Sequence, residues 1–336
     1  MSNDTPELIN RLQDGVPPAL ALLAGMQLEV FSALGDEPKT AGEIAAALSL
    51  DEERLSRLLY ALVLTGLLEH RDGRFANAAE ARRFLVKGRP GYIGGTHELT
   101  ADIWQADLQT AASIRNRAPA ALHDFDAMDD DALAVFLRGL QPYASATGRS
   151  LAEQFDFARC ASVIDIGGGS GATLLALLAQ QPHLRGTLLE LPRVARVAGT
   201  LLRAESRERL EIQVGNIVAG PPEGAYDAAI MRALIQVLSP ADAERAIRHS
   251  FACLRPGGTL YITGSGILAD PLHPPAGVYL NLTLMNFYHA GGAYTLATHA
   301  EWLTRAGFQE PQHRTLPTGS QIIWATKPAE ADRVDR

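Results

Sequence analysis

No stretch constrains this chain more than Val163-Ile164-Asp165-Ile166-Gly167-Gly168-Gly169-Ser170-Gly171. The β-branched residues around Asp165 read as the end of a buried parallel strand. The consecutive glycines that follow let the backbone turn sharply and come close to a ligand, because no Cβ intervenes. Residues 172–178 then have the Leu/Ala content and length of a helix. A strand, a glycine loop and a helix in that order open a nucleotide-binding α/β unit.

The alternation continues downstream. Residues 186–192 predict a second strand ending at Glu190, residues 210–216 a third ending at Asn216, and residues 226–232 a fourth ending at Arg232. A helix over 241–254 and the turn Arg255-Pro256-Gly257-Gly258 lead to a fifth strand at 259–264. A late helix containing residues 301–306 is ended by Gly307, and residues 320–326 form the last strand. This pattern predicts a doubly wound α/β sheet, with its ligand crevice at the carboxyl ends of the early strands.

A chain of 336 residues suits two domains, and the first hundred residues read differently from the rest. Residues 18–34 predict one helix with little polar face, hence burial on more than one side and a partner chain. Thr40 and Glu43 form a capping-box pattern ahead of a short helix. Asp51 can cap the next helix, whose core positions are Leu55, Leu58, Leu59, Leu62 and Val63. Asp72-Gly73 between residues 67–71 and 74–77 is a hairpin signal. Together these elements predict a winged helix. Its second helix opens on Asp51, Glu52 and Glu53, which repel phosphate. The formal net charge of −8 also argues against wholesale nucleic-acid binding, so a dimerisation role is the better reading.

Helical patterning returns over 97–116 and 131–157, with an acidic, turn-rich segment between. The expected organisation is a mostly α winged-helix dimerisation domain at 1–100, a helical connector contributing to a substrate pocket at 101–155, and a Rossmann-like domain at 156–330. Asp129-Asp130-Asp131 reads as an acidic helix start favoured by the helix dipole, not as a metal site. Cys160 and Cys253 lack neighbours at ligand spacing and read as small core residues, so no metal is expected. The N-terminus lacks the basic region of a signal peptide, and residues 18–34 are too polar to span a bilayer, so a cytoplasmic protein is expected.

The glycine spacing Asp165-x-Gly167-x-Gly169-x-Gly171 departs from the G-x-G-x-x-G of dinucleotide enzymes. Glu190 can accept from both hydroxyls of a ribose, and Asn216 can meet an adenine edge. An acid in that place is shared with NAD enzymes and does not discriminate. The turn Leu254-Arg255-Pro256-Gly257-Gly258, habitual in S-adenosylmethionine enzymes, tips the balance.

Taken together these residues resemble the bacterial members of the small-molecule O-methyltransferase family that includes plant caffeic acid and acetylserotonin methyltransferases. The likeness runs through Asp72-Gly73-Arg74-Phe75, Phe84-Leu85-Val86, the glycine loop, Glu190-Leu191-Pro192 and Gly215-Asn216-Ile217. It continues through the Arg255 turn, Gly291-Gly292, Tyr294-Thr295 and Trp302-Leu303 with Ala306-Gly307-Phe308. The resemblance implies a homodimer through the N-terminal domain, S-adenosyl-L-methionine in the C-terminal domain and a small-molecule acceptor beside it. Gly167 would lie along the methionine moiety, Asp165 and Gly169 would also bind the cofactor, and Glu190 would hold the ribose. Asn216 and Ile217 would flank adenine, where the family has Asp followed by Met or Leu, and Arg232 would stand beside the cofactor. The segment 281–288 is where the family contacts its acceptor. With it, Trp104, Tyr143, Asn281, Met285 and Tyr288 suggest a mid-sized, partly planar acceptor.

One departure matters. The family's fourth strand runs into L-H-D-W, whose His takes the acceptor proton; without gaps this chain has Gln236 there and Val237 in place of the acid. A carboxamide does not titrate near neutrality, so Gln236 can position an acceptor but cannot be a general base. Three versions follow: an acceptor already ionised, such as an acidic phenol or enol; an activated carbon, nitrogen or sulfur; or a base from elsewhere, with His289 the first candidate. Bound S-adenosylmethionine serving a reaction other than methylation, and a winged-helix regulator, are the alternatives.

Overall fold

The computed structural model describes residues 5–125, 127–202 and 208–329. The chain divides into two compact units, Met1–Asp102 and Ile103–Arg336.

The first unit contains α1 (Glu7–Asp14), α2 (Val16–Gln27), α3 (Val30–Leu34), α4 (Ala41–Leu48) and α5 (Glu52–Leu64). A hairpin of β1 (Leu68–Arg71) and β2 (Arg74–Asn77) follows, then α6 (Ala79–Phe84). The single helix expected over 18–34 is two. Glu29 adopts a left-handed φ of 58°, which ends α2 and redirects the chain. That turn lets α3 bury Val30, Phe31 and Leu34 against Ile44, Leu59 and Leu62, so several apolar residues of the stretch face the unit's own core. The capping box forms: Glu43 N donates to Thr40 Oγ1 at 3.2 Å and Thr40 N to Glu43 Oε2 at 2.7 Å. Asp51 Oδ1 caps α5 by accepting from Arg54 N. Asp72 and Gly73 both have left-handed φ, 50° and 74°, as a two-residue hairpin turn requires.

Helix α7 (His97–Asp107) crosses the division, and α8 (Thr110–Asn116) follows after a break. The expected helix over 97–116 fails here because the Thr110 hydroxyl takes the carbonyl of Asp107, competing with the helical ladder. Helix α9 (Asp130–Gln154) begins at Asp129, whose Oδ1 accepts from Ala132 N. Asp130 pairs with Arg193 and Arg196 of the later helix Pro192–Leu201.

The second unit then lays down β3 (Ser162–Ile166), α10 (Ala172–Gln180), β4 (Arg185–Glu190), α11 (Pro192–Leu201), β5 (Leu210–Val214) and β6 (Tyr226–Arg232). It continues with α12 (Pro240–Cys253), β7 (Leu254–Gly264), β8 (Ile267–Leu268), α13 (Pro275–Phe287), β9 (Tyr294–Thr295), α14 (Leu296–Ala306), β10 (Gln309–Thr315) and β11 (Gln321–Thr326). The main sheet has the order β10-β11-β7-β6-β3-β4-β5. Strands β5, β4, β3, β6 and β7 pair in parallel, while β11 and β10 are antiparallel additions at one edge.

The sequence reading missed β10 because Gln309–Thr315 is polar, exposed and interrupted near Pro311 by a register shift. Those are the marks of an edge strand. Strand β7 also starts earlier than expected, at Leu254, and carries the Gly257 turn within it.

Alternation along the strands sends side chains to two cores. Ile164, Ile166, Met231 and Ile262 pack with Ile247, Trp302 and Leu303. Val163, Leu188, Ile230 and Tyr261 pack with Leu151, Leu174 and Leu177. Asp165 shares the face of Val163, which places a carboxyl group within an apolar layer. Among the described residues no helix is long and apolar enough to cross a membrane, and no cluster of His, Cys, Asp or Glu could hold a metal.

Candidate active site

Strand order reverses between β3 and β6, and a crevice opens outside their carboxyl ends at such a switch point. The glycine loop forms its floor. Gly167, Gly169 and Gly171 have φ of 66°, 59° and 75°, which a side chain would strain. Gly168 is required for space instead: a Cβ there would lie 2.4 Å from Asp165 Oδ2 and 2.7 Å from Leu188 Cδ1. Helix α9 crosses above, with Leu137 in contact range of a Cβ built on Gly169. Gly148 lets α9 approach α10, because any Cβ there would lie 2.1 Å from the Thr173 carbonyl.

The loop is tied to the neighbouring strand. Gly167 N donates to Leu189 O at 2.9 Å, and Gly169 N donates to Glu190 Oε1 at 2.7 Å. Glu190 Oε2 accepts from Leu191 N at 3.0 Å. Both carboxylate oxygens are therefore oriented by amides, and each keeps a further lone pair that can accept from a hydroxyl. Burial raises the Glu190 pKa, and the two amides oppose that shift.

Asp165 is fully buried behind the loop, and neither of its oxygens has a hydrogen-bond partner among the described residues. Burial, reinforced by the Glu190 charge and opposed by Arg232, pushes its pKa up to about 7. Arg232 is the nearby cation; burial lowers its pKa, and its Nε donates to Thr147 Oγ1 at 3.3 Å.

A cavity of about 490 Å³ extends over the loop. Gly167, Gly169, Glu190, Asn216, Ile217 and Arg232, all expected at the cofactor, line it. Asn216 Oδ1 accepts from Val218 N at 2.9 Å, so its amide nitrogen is the group left to donate. His249 Nδ1 donates to Ile217 O at 2.6 Å and fixes the adjacent backbone. A second wall is apolar and aromatic: Leu133, Phe136, Leu137, Leu140 and Ala144 from α9, with His123, Phe125 and Tyr288. Carboxylates at Glu190 and beneath the loop at Asp165 oppose a pyrophosphate, while an oriented acid, a donor amide and an apolar shelf suit a nucleoside.

The expected catalytic and acceptor residues are placed differently. Gln236 lies in a 3₁₀ turn, Ile235–Val237. Its Oε1 accepts from Gly266 N at 3.0 Å, and its main-chain oxygen accepts from Gly292 N at 2.9 Å. It is not among the residues lining the cavity. His289 is exposed and also lies off the wall. Of the acceptor candidates only Tyr288 lines the cavity. Trp104 is half-buried in α7, Tyr143 is 47% exposed on α9, and Met285 lies partly buried in α13. Asn281 spends its Oδ1 on Ala293 N.

The wall also holds His123, from the irregular segment between α8 and α9. Its ring stacks on Phe287 with centroids 3.7 Å apart and meets Phe136 edge-on at 5.3 Å. Its backbone is fixed by His123 N donating to Phe287 O at 3.0 Å, beside Ala121 N donating to Asn286 O at 3.1 Å. Nothing in the irregular segment around it carries a period. The α9 wall was readable, because Leu133, Phe136, Leu137, Leu140 and Ala144 fall on one helical stripe.

Residues 108–309 match the O-methyltransferase domain family, and residues 11–87 match the O-methyltransferase dimerisation domain. The chain is similar to the 3-hydroxy-5-methyl-1-naphthoate 3-O-methyltransferase of Streptomyces sahachiroi, 30% identical over 91% of this chain and 90% of that protein. It is also similar to the N,N-dimethyltransferase OxyT of Streptomyces rimosus, 27% identical over 92% of this chain and 93% of the relative. Among solved structures, the mitomycin 7-O-methyltransferase superposes with a TM-score of 0.78 at 26% identity, covering 96% of this chain and 97% of the other.

Proposed function

The chain belongs to the O-methyltransferase family, and from that premise we propose that it methylates a small aromatic or enolic metabolite of secondary metabolism, with S-adenosylmethionine as methyl donor. The observation that carries this reading is one cavity with two walls: Glu190, Asn216 and Ile217 on the nucleoside side, and Phe125, Phe136 and Tyr288 for a planar acceptor. Glu190 accepts from the ribose hydroxyls through the lone pairs its amide bonds leave free. Asn216 donates to a ring nitrogen of adenine and Ile217 packs on its face. Gly167 and Gly169 present bare backbone to the methionine portion, and the Asp165 carboxyl beneath them offsets positive charge above the loop, while Arg232, a cation at the side, offsets the Asp165 charge in turn. The sulfonium supplies an electrophilic methyl group when bound.

Gln236 holds Gly266 and Gly292 in place and contributes positioning, not proton transfer. In-line displacement tolerates this, since alignment alone is worth effective molarities of about 10⁵ M or more, against roughly 10²–10⁴-fold for a base. A nitrogen acceptor is the second reading, favoured by the N,N-dimethyltransferase relative, because a neutral amine needs no base before attack. The dimerisation domain and the exposed Leu8, Ile9 and Leu12 of α1 support a homodimer, which sedimentation would show as twice the chain mass.

Calorimetry tests the central reading. S-adenosylhomocysteine is expected to bind at about micromolar strength. Binding of NAD in its place, or of neither, overturns it.

A further inference from the structure

We propose that His123 is the general base for a phenolic acceptor, taking over from the strand-end position that Gln236 occupies. This deepens the methyl-transfer reading and rests on it.

Three observations converge on His123. It is the histidine in the cavity wall; Gln236 and His289 are not part of that wall. Its imidazole is held flat against Phe287 and edge-on to Phe136, with Tyr288 6.2 Å away between centroids. The ring is therefore presented as part of an aromatic slot that a planar acceptor would share. Its backbone is also anchored by the bond to Phe287 O, so an otherwise irregular segment holds the ring at a fixed place. Imidazole is the side chain that ordinarily exchanges a proton between pH 5 and 8. The other titratable or charged groups lining the cavity are Glu190, Arg232, Asp242 and Tyr288.

The step balances without a further reactant. The aryl hydroxyl proton passes to an imidazole nitrogen of His123, and an oxygen lone pair forms the O–CH₃ bond. The S–CH₃ bond breaks, and its electron pair stays on sulfur to leave neutral S-adenosylhomocysteine. The imidazolium then releases its proton to water.

The test uses the full chain with S-adenosylmethionine and three probes: 1-naphthol, 2-naphthol and 3-hydroxy-1-naphthoate. The wild type is expected to methylate at least one of them. His123→Ala is expected to lower kcat at pH 7 by about 100-fold or more while changing KM less. Its rate should then climb with pH in step with ionisation of the free phenol, because a phenolate needs no base. His313→Asn, on the exposed edge strand β10, should match the wild type. Binding of S-adenosylhomocysteine to each variant reports an intact fold, and His123→Asn serves if the alanine variant does not fold. A His123 variant that binds S-adenosylhomocysteine but keeps the wild-type pH–rate profile overturns the proposal, as does one equally impaired at every pH. Failure of the wild type to methylate any probe while binding S-adenosylhomocysteine also overturns it and leaves the cofactor reading standing. Failure to bind S-adenosylhomocysteine removes both.

Discussion

Glu190 accepts the amide of Gly169 at 2.7 Å, which joins the end of the second parallel strand to the middle of the glycine loop. The same carboxylate is the proposed ribose acceptor, so building the site and filling it depend on one side chain. Its position follows from the register that sets Ile166 beside Leu189, one residue before Glu190.

Glu190→Gln keeps the shape but turns one oxygen into a donor. Whichever way the amide is set, a donor then faces either Gly169 N or Leu191 N. Leaving one of these amides unsatisfied costs about 1–3 kcal/mol. The variant is expected to melt earlier and to bind S-adenosylhomocysteine at least about tenfold more weakly, since about 1.4 kcal/mol is a factor of ten. Unchanged affinity in calorimetry would remove Glu190 from the ribose contact.

Gly168→Ala tests space in place of backbone freedom. The added methyl would sit 2.4 Å from the Asp165 carboxylate, which is itself enclosed and cannot retreat. Overpacking of this kind costs roughly 1–3 kcal/mol, and here it displaces the loop that faces the cavity. Gly220→Ala is the comparison, because a Cβ there meets nothing within 4 Å. Denaturant melts should separate the two variants by at least about 1 kcal/mol.

Asp165 makes the stability of the ligand-free protein depend on pH. Its folded pKa of about 7 lies above the ordinary carboxylate range, so between about pH 4 and 7 the folded state holds more protons than the unfolded one. Stability therefore falls as pH rises through that window, by at most about 1.4 kcal/mol per unit from this group, and levels off above it. Glu190, whose pKa burial also raises, acts in the same direction, and the lowered carboxylates Asp227 and Asp270 act only at lower pH, so the comparison with Asp165→Asn is what assigns the effect to Asp165. The variant is expected to gain stability relative to wild type as pH goes from 5 to 8. A constant difference across that range would mean that Asp165 is ionised throughout.

The parallel part of the sheet was legible because apolar runs close on a polar residue: Asp165 near the end of β3, Glu190 and Arg232 at the ends of β4 and β6, and Asn216 just past β5. Of the antiparallel strands, β11 was legible and the outermost, β10, was not, since it is polar and exposed and carries no alternation to read. The two helix breaks, at Glu29 and after Asp107, turn on one left-handed residue and one hydroxyl, neither of which disturbs the apolar pattern. For the site, the cofactor side came from motifs within single strand–loop units. The acceptor side did not, because the slot is assembled from His123, Phe136 and Tyr288, whose proximity depends on how α9, the segment before it and the end of α13 pack together. Of the run 281–288, only Tyr288 at the end of α13 lines the cavity.

Gln236 is the sharpest case, since the sequence named the position and the structure altered its meaning. The missing histidine suggested a side chain facing an acceptor, yet Oε1 is committed to Gly266 N and the surrounding backbone leaves little room. A Cβ on Gly266 would lie 2.6 Å from that oxygen, and one on Gly291 would lie 2.7 Å from the Gln236 carbonyl. Gln236→Ala therefore removes a partner from the buried amide of Gly266 and is expected to cost about 1–3 kcal/mol in a denaturant melt. Because no base is lost, kcat should fall by less than the roughly 100-fold expected of a base, with the pH–rate profile keeping its wild-type shape. A loss matching that of His123→Ala, with the same altered profile, would place Gln236 in the proton path after all.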